Sequence, residues 1–162
     1  MKESNTTVPG HEIVPPFDSP IGKVGSQICF DLRFPEPALR LSRLAASIIT
    51  YPSAFTVPTG QMGHWEILLR SRAIENECYV VAAAQCGRHN EGTKRVSYGD
   101  AIVVDPKGKV VGRCARVEGS AEDEVYGERE PELVMFEVDE ELIQSTRRTI
   151  PLERRTDVYP KI

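Results

Sequence analysis

Apolar and polar positions along the first half of the chain alternate between strand-like and helix-like spacing. Residues 1–22 hold four prolines and two glycines, and this predicts an irregular lead-in. Three later apolar runs have the length of strands, namely Lys23–Cys29, Ser47–Tyr51 and Cys78–Gln85. The last run is apolar on both faces, as expected of a strand that is covered on both sides.

Two helix-like segments separate these strands. Glu36–Ala46 has leucines at near-helical spacing and prolines at its start, where proline is tolerated. His64–Glu77 is the clearest amphipathic helix, with one face formed by Trp65, Leu68, Leu69 and Ala73. The segment 56–63 between the second strand and this helix is predicted to be a loop. The order strand, helix, strand, helix, strand favours the α/β class, in which helices cross over a sheet.

The second half of the chain has a different pattern. Ala101–Val104 and Lys109–Arg113 flank a four-residue turn with proline second and glycine fourth, which predicts a hairpin. Residues 118–132 carry seven acidic side chains against one basic one, which indicates a solvated loop insertion. Leu133–Val138 is predicted to be a strand and Asp139–Arg148 a helix with Asp139 as its N-cap. The tail 149–162 has no periodicity.

Length and composition describe one ordinary globular domain spanning residues 1–162. Hydrophobic residues make up 40% of the chain and charged residues 27%. The net charge of −4 is opposite in sign to the excess of basic residues that is typical of a nucleic-acid binder. No apolar run approaches the roughly 18 residues that a membrane span needs. The start of the chain lacks the apolar core of a secretion signal. We therefore expect a cytoplasmic protein, with the mitochondrion as the alternative compartment, and neither nucleic-acid nor membrane partners.

The four cysteines, at positions 29, 78, 86 and 114, form no C-x-x-C pair. This excludes a zinc ribbon or a thioredoxin-type motif. Cys78, Cys86 and His89 make a loose string whose spacing is wider than structural zinc requires. No metal site is predicted.

Cys29 is the candidate nucleophile because it ends an apolar strand just before a helix. A residue at such a turn lies at the carboxyl edge of the sheet, close to backbone N–H groups that can bind an oxyanion. The alternative is a small buried residue that closes a core strand. A Cys–His hydrolase also stays open, because His64 and His89 are available as bases.

The sequence around Cys29, GKVGSQICFDLRFPE, resembles the nucleophile motif of the nitrilase, or carbon–nitrogen hydrolase, superfamily. The resemblance continues along most of the chain in TYPSAF at 50–55, HWEILLRSRAIEN at 64–76, CYVVAAAQCGRH at 78–89, SYG at 97–99, VVDPKG at 103–108 and the arginine-rich strings near 147–151 and 154–159. Two of these strings are similar to the Nit branch, whose members are amidases that act on deaminated glutathione.

The resemblance implies a four-layer α-β-β-α sandwich, a Glu–Lys–Cys triad and no cofactor. Cys29 would attack the carbonyl of a primary amide in a small peptide-like molecule such as deaminated glutathione, form a thioester and release ammonia. The backbone N–H of Phe30 matches part of the oxyanion hole. Glu3 is the nearest match to a second glutamate, and Glu12 competes for that role. The family also implies a homodimer or larger homo-oligomer, with the His64–Glu77 helix near the subunit interface.

No residue of this chain matches the general-base glutamate or the catalytic lysine. Lys23 is too close to Cys29 on the same strand. The chain therefore resembles the C-terminal half of a nitrilase-type subunit. This leaves a non-catalytic alternative, in which the chain is an incompetent fragment or an interaction partner of a full-length homologue, and it predicts that one apolar sheet face is uncovered.

Other residues near the predicted sheet edge are candidates for substrate binding. Tyr51, Phe55 and Thr56 follow the second strand and are predicted to line the crevice. Arg88 and His89 follow the third strand, where an arginine could pair with a substrate carboxylate. Asp31, Arg33 and Glu36 are predicted to form ion pairs that lock the turn after Cys29.

Overall fold

The computed structural model describes residue 5 and residues 7–90, 93–119 and 130–158. The strands in chain order are β1 (Phe17–Ser19), β2 (Gly22–Ser26), β3 (Ile48–Thr50), β4 (Tyr79–Ala82), β5 (Cys86–Arg88), β6 (Val96–Tyr98), β7 (Ile102–Val104) and β8 (Val110–Arg113). The α-helices are α1 (Pro35–Arg43), α2 (Val57–Gln61), α3 (His64–Asn76) and α4 (Glu140–Thr149), and a 3-10 helix spans Cys29–Arg33.

The main sheet has the strand order β1-β2-β3-β4-β7-β8. Its centre is parallel, since β2 pairs with β3 and β3 with β4 in the same direction. The flanking pairs, β1 with β2 and β4 with β7, are antiparallel. The α/β class is confirmed, because α1 connects β2 to β3 and α3 connects β3 to β4.

Successive residues of the central strands face opposite sides of the sheet, as strand geometry requires. Ile49 and Val80 belong to a core with buried residues of α1 and α3. Their neighbours Ile48 and Tyr79 belong to a second cluster that includes Ile143 of α4 and packs against partly buried residues of 134–138. The expectation that one apolar face is uncovered was therefore wrong at these positions, because α4 and the segment before it lie on that face.

Several predicted boundaries differ from the structure. The lead-in contains β1, and the predicted loop 56–63 contains α2. The strand predicted at Leu133–Val138 is absent from the described structure, although its side chains alternate between exposed and half-buried. Most of the acidic segment 118–132 and the end of the tail 149–162 lie outside the described residues.

The predicted hairpin and the predicted last helix are confirmed, together with the turn of the hairpin and the N-cap of the helix. Strands β7 and β8 pair antiparallel around a turn in which Gly108 N donates to the Asp105 carbonyl at 2.9 Å. The Asp139 carboxylate accepts from Leu142 N at 3.0 Å, as an N-cap should. No helix in the described part of the chain is long and apolar enough to cross a membrane.

Candidate functional site

Cys29 lies just past the carboxyl end of β2, where the 3-10 helix Cys29–Arg33 begins. Its φ is 45°, in the left-handed region that residues with a side chain rarely adopt. Such a conformation costs about 1–2 kcal/mol and persists only where the surroundings impose it. Three other residues with a side chain, Ala45, Glu77 and Asp100, also have a positive φ, so this strain supports a functional role for Cys29 only together with its position at the sheet edge.

Backbone and side-chain hydrogen bonds hold this turn in place. Cys29 N donates to the Pro52 carbonyl at 3.1 Å, which extends the pairing of β2 with the chain after β3. Two hydrogen bonds between Asp31 and Ile28 hold the beginning of the turn. The Asp31 N–H donates to the Ile28 carbonyl at 2.9 Å, and the Asp31 carboxylate accepts from Ile28 N at 2.8 Å. The end of the turn is held by Arg72, which donates to the Leu32 carbonyl at 2.9 Å.

Cys29 faces a cleft of about 470 Å³ at the carboxyl ends of the three parallel strands. Each strand supplies part of the wall, and the lining residues are Ile28, Cys29, Pro52, Ser53, Ala54, Ala83, Ala84 and Gln85. In open α/β sheets this edge is where ligands bind. The wall is mostly apolar, with few polar groups beside the thiol, as is typical of a site for a small molecule.

The role of Phe30 in the oxyanion hole stays a prediction. Phe30 is the next residue after Cys29, and its backbone N–H has no acceptor among the described residues. A free N–H at this position is available to a negatively charged oxygen on a carbonyl that Cys29 attacks. The aromatic ring is 47% exposed at the surface beside the turn.

The predicted wall residues after β3 lie outside the lining of this cleft. Tyr51 is fully buried in the core, and burial raises the pKa of its hydroxyl. Phe55 is also buried, and its ring packs at 4.7 Å from that of Trp65. Thr56 is exposed, with its hydroxyl 2.8 Å from that of Thr59. Instead, the backbone turn at Pro52–Ala54 forms this wall. The assignment of the three residues to substrate binding stays a prediction.

Arg88 and His89 lie at the small sheet of β5 and β6, which the sequence did not predict. Arg88 Nη1 donates to the Thr93 carbonyl at 2.7 Å, and His89 Nε2 lies 2.6 Å from the Ser97 hydroxyl. Neither residue lines the Cys29 cleft. Among the described residues, the Cys29 thiol makes no hydrogen bond to His89 or to His64, which is exposed at the beginning of α3.

The predicted ion pairs among Asp31, Arg33 and Glu36 are not formed within the described structure, and this expectation was wrong. Asp31 uses its carboxylate on the backbone of the turn instead. The Arg33 guanidinium carbon lies 5.6 Å from the centres of the Phe30 and Phe55 rings, in a cation–π arrangement. Arg33 is therefore a half-buried cation four residues after the candidate nucleophile, and sequence reasoning had assigned it only a structural role.

The remaining acid and base candidates are distant or undescribed. Glu3 lies outside the described residues. Glu12 is exposed and lines a separate cavity with Arg40 and Leu44. Lys23 is at the amino end of β2, the opposite end from Cys29, and its ammonium lies 3.6 Å from the Asp18 carboxylate.

The other three cysteines form no disulfide within the described residues and lie at different depths. Cys78 is fully buried, and this burial raises its pKa to about 12, which makes it a poor nucleophile. Cys86 and Cys114 are half-buried and line one cavity of about 300 Å³. Within the described ranges, no group of three or more histidine, cysteine or acidic side chains is arranged to hold a metal ion.

A second polar cluster joins α3 to the β7–β8 hairpin, away from the cleft. Arg113 of β8 pairs with Glu66 of α3, and its Nε lies 2.8 Å from the buried carboxylate of Asp100. A hydrogen bond from Arg113 lowers the pKa of Glu66, whereas burial raises the pKa of Asp100. The two carboxylates therefore have opposite effects on stability as the pH changes.

Glu66 is expected to stabilise the fold above pH about 4.5 and to lose this effect as the pH falls, because its pKa is lower in the folded state. The measurement is the free energy of urea unfolding of the wild type and of Glu66→Gln across this range. The difference between them should be largest near neutral pH and shrink as the pH falls below about 4.5. Asp100 is present in both proteins, so its opposite contribution largely cancels. A difference that grows in acid would contradict this prediction, and exposed Glu137→Gln is the control.

Sequence comparison places these features in a known family. A sequence model of carbon–nitrogen hydrolases matches residues 1–148. The chain is 49% identical over 162 residues to the probable hydrolase nit2 of Schizosaccharomyces pombe, covering all of this chain and 54% of that protein. It is 50% identical over 161 residues to the deaminated glutathione amidase of Bos taurus, covering 98% of this chain and 44% of that protein. The chain thus spans about half the length of the curated relatives it matches.

Solved structures give the same relationship. The Caenorhabditis elegans NitFhit protein aligns with a TM-score of 0.79 and 41% identity over 98% of this chain and 35% of its own. An amidase from Nesterenkonia aligns with a TM-score of 0.61 and 28% identity over 69% of this chain and 41% of its own. That amidase carries the acetamide moiety of fluoroacetamide on its active site cysteine.

Proposed function

The chain belongs to the carbon–nitrogen hydrolase family, and on this basis we propose that Cys29 is the nucleophile of an amidase that acts on small peptide-like amides. One observation carries the proposal. Cys29 is held at φ 45° at the carboxyl end of a parallel strand, facing an apolar cleft to which the two neighbouring strands contribute. A nucleophile on a strained turn above such a cleft suits acyl transfer.

The reaction follows from this geometry in two steps. The Cys29 sulfur adds to the amide carbonyl carbon, and the oxygen takes up the negative charge, which the free N–H of Phe30 is placed to stabilise. The carbon–nitrogen bond then breaks, the nitrogen leaves with a proton, and a thioester remains on Cys29. Water hydrolyses the thioester to a carboxylic acid and restores the thiol. The groups that move these protons have no assigned residue in this chain.

The leaving group distinguishes two classes of substrate. A primary amide releases ammonia, as the family resemblance implied. Deaminated glutathione, by contrast, has the peptide bonds of glutathione, so its hydrolysis releases an amine. The name of the bovine relative favours the second class. Release of ammonia and hydrolysis of deaminated glutathione are therefore separate proposals, and the product decides between them.

Arg33 is a candidate for recognising a negatively charged substrate. Its guanidinium lies against two aromatic rings beside the Cys29 turn, and it is half-buried. Arginine suits the planar, two-pronged pairing that a carboxylate offers. By comparison, Arg88 already donates to a backbone carbonyl in the small sheet. Arg33, like Arg88, does not line the Cys29 cleft, and both arginines stay candidates for binding a substrate carboxylate.

The alternative function is a non-catalytic chain that pairs with a longer homologue. One observation favours it, since Lys23 is at the wrong end of β2 to serve Cys29. Helix α3 also leaves Ile67 and Ile74 exposed, which supports a homodimer or a mixed dimer through this helix. A cytoplasmic or mitochondrial location remains a prediction.

A product assay separates these functions. We expect the enzyme in its active assembly to convert deaminated glutathione to an amine and an oxoacid, detected by mass spectrometry, and to lose this activity after iodoacetamide treatment. Release of ammonia from a small primary amide, with deaminated glutathione unchanged, would reassign the substrate class. Failure of both reactions, together with co-purification of a longer homologous chain, would overturn the amidase proposal in favour of the alternative.

A further inference from the structure

Arg72 reaches from α3 into the turn that carries Cys29. The side chain is only 4% exposed, and its Nη2 donates to the Leu32 carbonyl at 2.9 Å, across 40 positions of sequence. Its Nη1 lies 2.8 Å from the Glu75 carboxylate one turn further along α3. The rigid guanidinium fork therefore fixes the end of the Cys29 turn relative to the helix.

A buried charge at this position is not explained by packing of the core. The other side chains that α3 buries are uncharged, namely Trp65, Leu69, Ala73 and Asn76. Burying a guanidinium is costly unless its donors are paired, and the Arg72 Nε has no partner among the described residues. An apolar side chain would fill the same space at lower cost, so the bond to Leu32 is the feature that Arg72 adds.

Asp31 and Arg72 hold the two ends of the turn. The Asp31 carboxylate accepts from Ile28 N before Cys29, and Arg72 binds the Leu32 carbonyl after it. Burial is the main cause that raises the pKa of the Tyr51 hydroxyl, while Arg72 lowers this pKa and Asp31 raises it. Each end of the turn is thus held by one charged side chain.

We propose that Arg72 is a positioning residue for Cys29, an inference that rests on the proposed nucleophilic role of Cys29. A cysteine at φ 45° relaxes to a negative φ when its surroundings allow it. Such a change redirects the bond from Cα to Cβ, so the sulfur turns away from the cleft and the Phe30 N–H moves with it. Arg72 prevents this relaxation by fixing the Leu32 carbonyl, and it does so without lining the cleft itself.

The test compares Arg72→Met with Arg70→Met. Arg70 is a matched control, because it lies on the same helix and its Nε donates to the Gly108 carbonyl at 2.8 Å, far from the turn. The measured quantity is the rate of Cys29 alkylation by iodoacetamide, followed by peptide mass spectrometry and divided by the rate at Cys114 in the same molecules. We expect a loss of about tenfold in Arg72→Met and no change in Arg70→Met.

Two further readouts separate positioning from simple destabilisation. In a turnover assay, Arg72→Met should lower kcat and leave KM unchanged, since Arg72 does not touch the bound substrate. If Arg72→Met does not fold, Arg72→Lys replaces it. Lysine keeps the charge, but its single ammonium group cannot bind Leu32 and Glu75 together as the guanidinium does. The rate of Cys29 alkylation should therefore fall by less than in Arg72→Met, but measurably.

The outcomes distinguish this inference from the proposed function. Equal rates of Cys29 alkylation in the folded Arg72 and Arg70 variants would overturn the positioning role. Faster alkylation in the Arg72 variant would also overturn it, because this would mean that Arg72 shields the thiol. Full turnover in Cys29→Ala overturns the nucleophile itself, whatever the Arg72 variants show.

Discussion

Cys29→Ala is expected to lower amidase turnover by at least about 10⁴-fold, because without the sulfur no thioester can form. The substitution removes one atom from a half-buried side chain, so the fold should remain intact. Turnover is measured as the release of amine or ammonia by the enzyme in its active assembly, with thermal unfolding as the check on folding.

Cys114→Ala provides the matched control for this experiment. Cys114 is also a half-buried free thiol, but it lies outside the Cys29 cleft. We expect its turnover to stay within about twofold of the wild type, the range of a surface change remote from the site. If the two variants lose activity equally, or if Cys29→Ala keeps most of it, the nucleophile assignment is wrong.

Trp65→Ala is expected to have the largest effect on stability. Trp65 is 1% exposed, its ring packs on Phe55, and its Nε1 donates to the Asp100 carbonyl at 2.7 Å. Truncating a buried tryptophan costs about 3–5 kcal/mol, and here the Asp100 carbonyl also loses its donor. For a chain of this size the melting temperature should fall by roughly 10 °C.

The measurement is thermal unfolding of Trp65→Ala beside Met62→Ala. Met62 lies three residues before Trp65 and is 61% exposed, so its truncation should change the free energy of unfolding by less than about 0.5 kcal/mol. Similar shifts in the two variants would mean that Trp65 lies at a surface or an interface rather than in the core of the domain.

The sequence predicted best those elements whose signals are local. Helix α3 spans 13 residues and buries Trp65, Leu69 and Ala73 at helical spacing, and the Asp105–Gly108 turn carries its own hydrogen-bonding side chain. Asp139 is a helix N-cap in sequence and in structure for the same reason, since its carboxylate binds a backbone N–H three residues later. These features do not depend on distant partners.

Features that depend on distant partners escaped prediction. Strands β5 and β6 are three residues long and are defined by pairing with each other and, at Ser97, with Thr56 much earlier in the chain. Conversely, the segment 133–138 has the alternation of a strand but no paired neighbour within the described chain, and it packs on the sheet face instead. A strand needs a partner, and the pattern of one segment does not contain that partner.

The candidate site was predictable to the level of the sheet edge but not of individual side chains. The strand-to-helix transition at Cys29 was visible in the sequence, whereas its left-handed backbone was not. After β3, Tyr51 turned inward and Pro52–Ala54 formed the wall. Adjacent residues of an extended chain face opposite sides. An error of one residue in the predicted end of the strand therefore assigns a core side chain to the wall of the cleft, or the reverse.

The most direct test of the role of Cys29 is to identify the atom that becomes acylated or alkylated by a substrate-like amide. The protein is incubated with fluoroacetamide, and the modified peptide is located by mass spectrometry among the peptides of all four cysteines. We expect an acetamide adduct on Cys29, with Cys78, Cys86 and Cys114 unmodified under the same conditions. An adduct on Cys86 or Cys114, with Cys29 free, would contradict it.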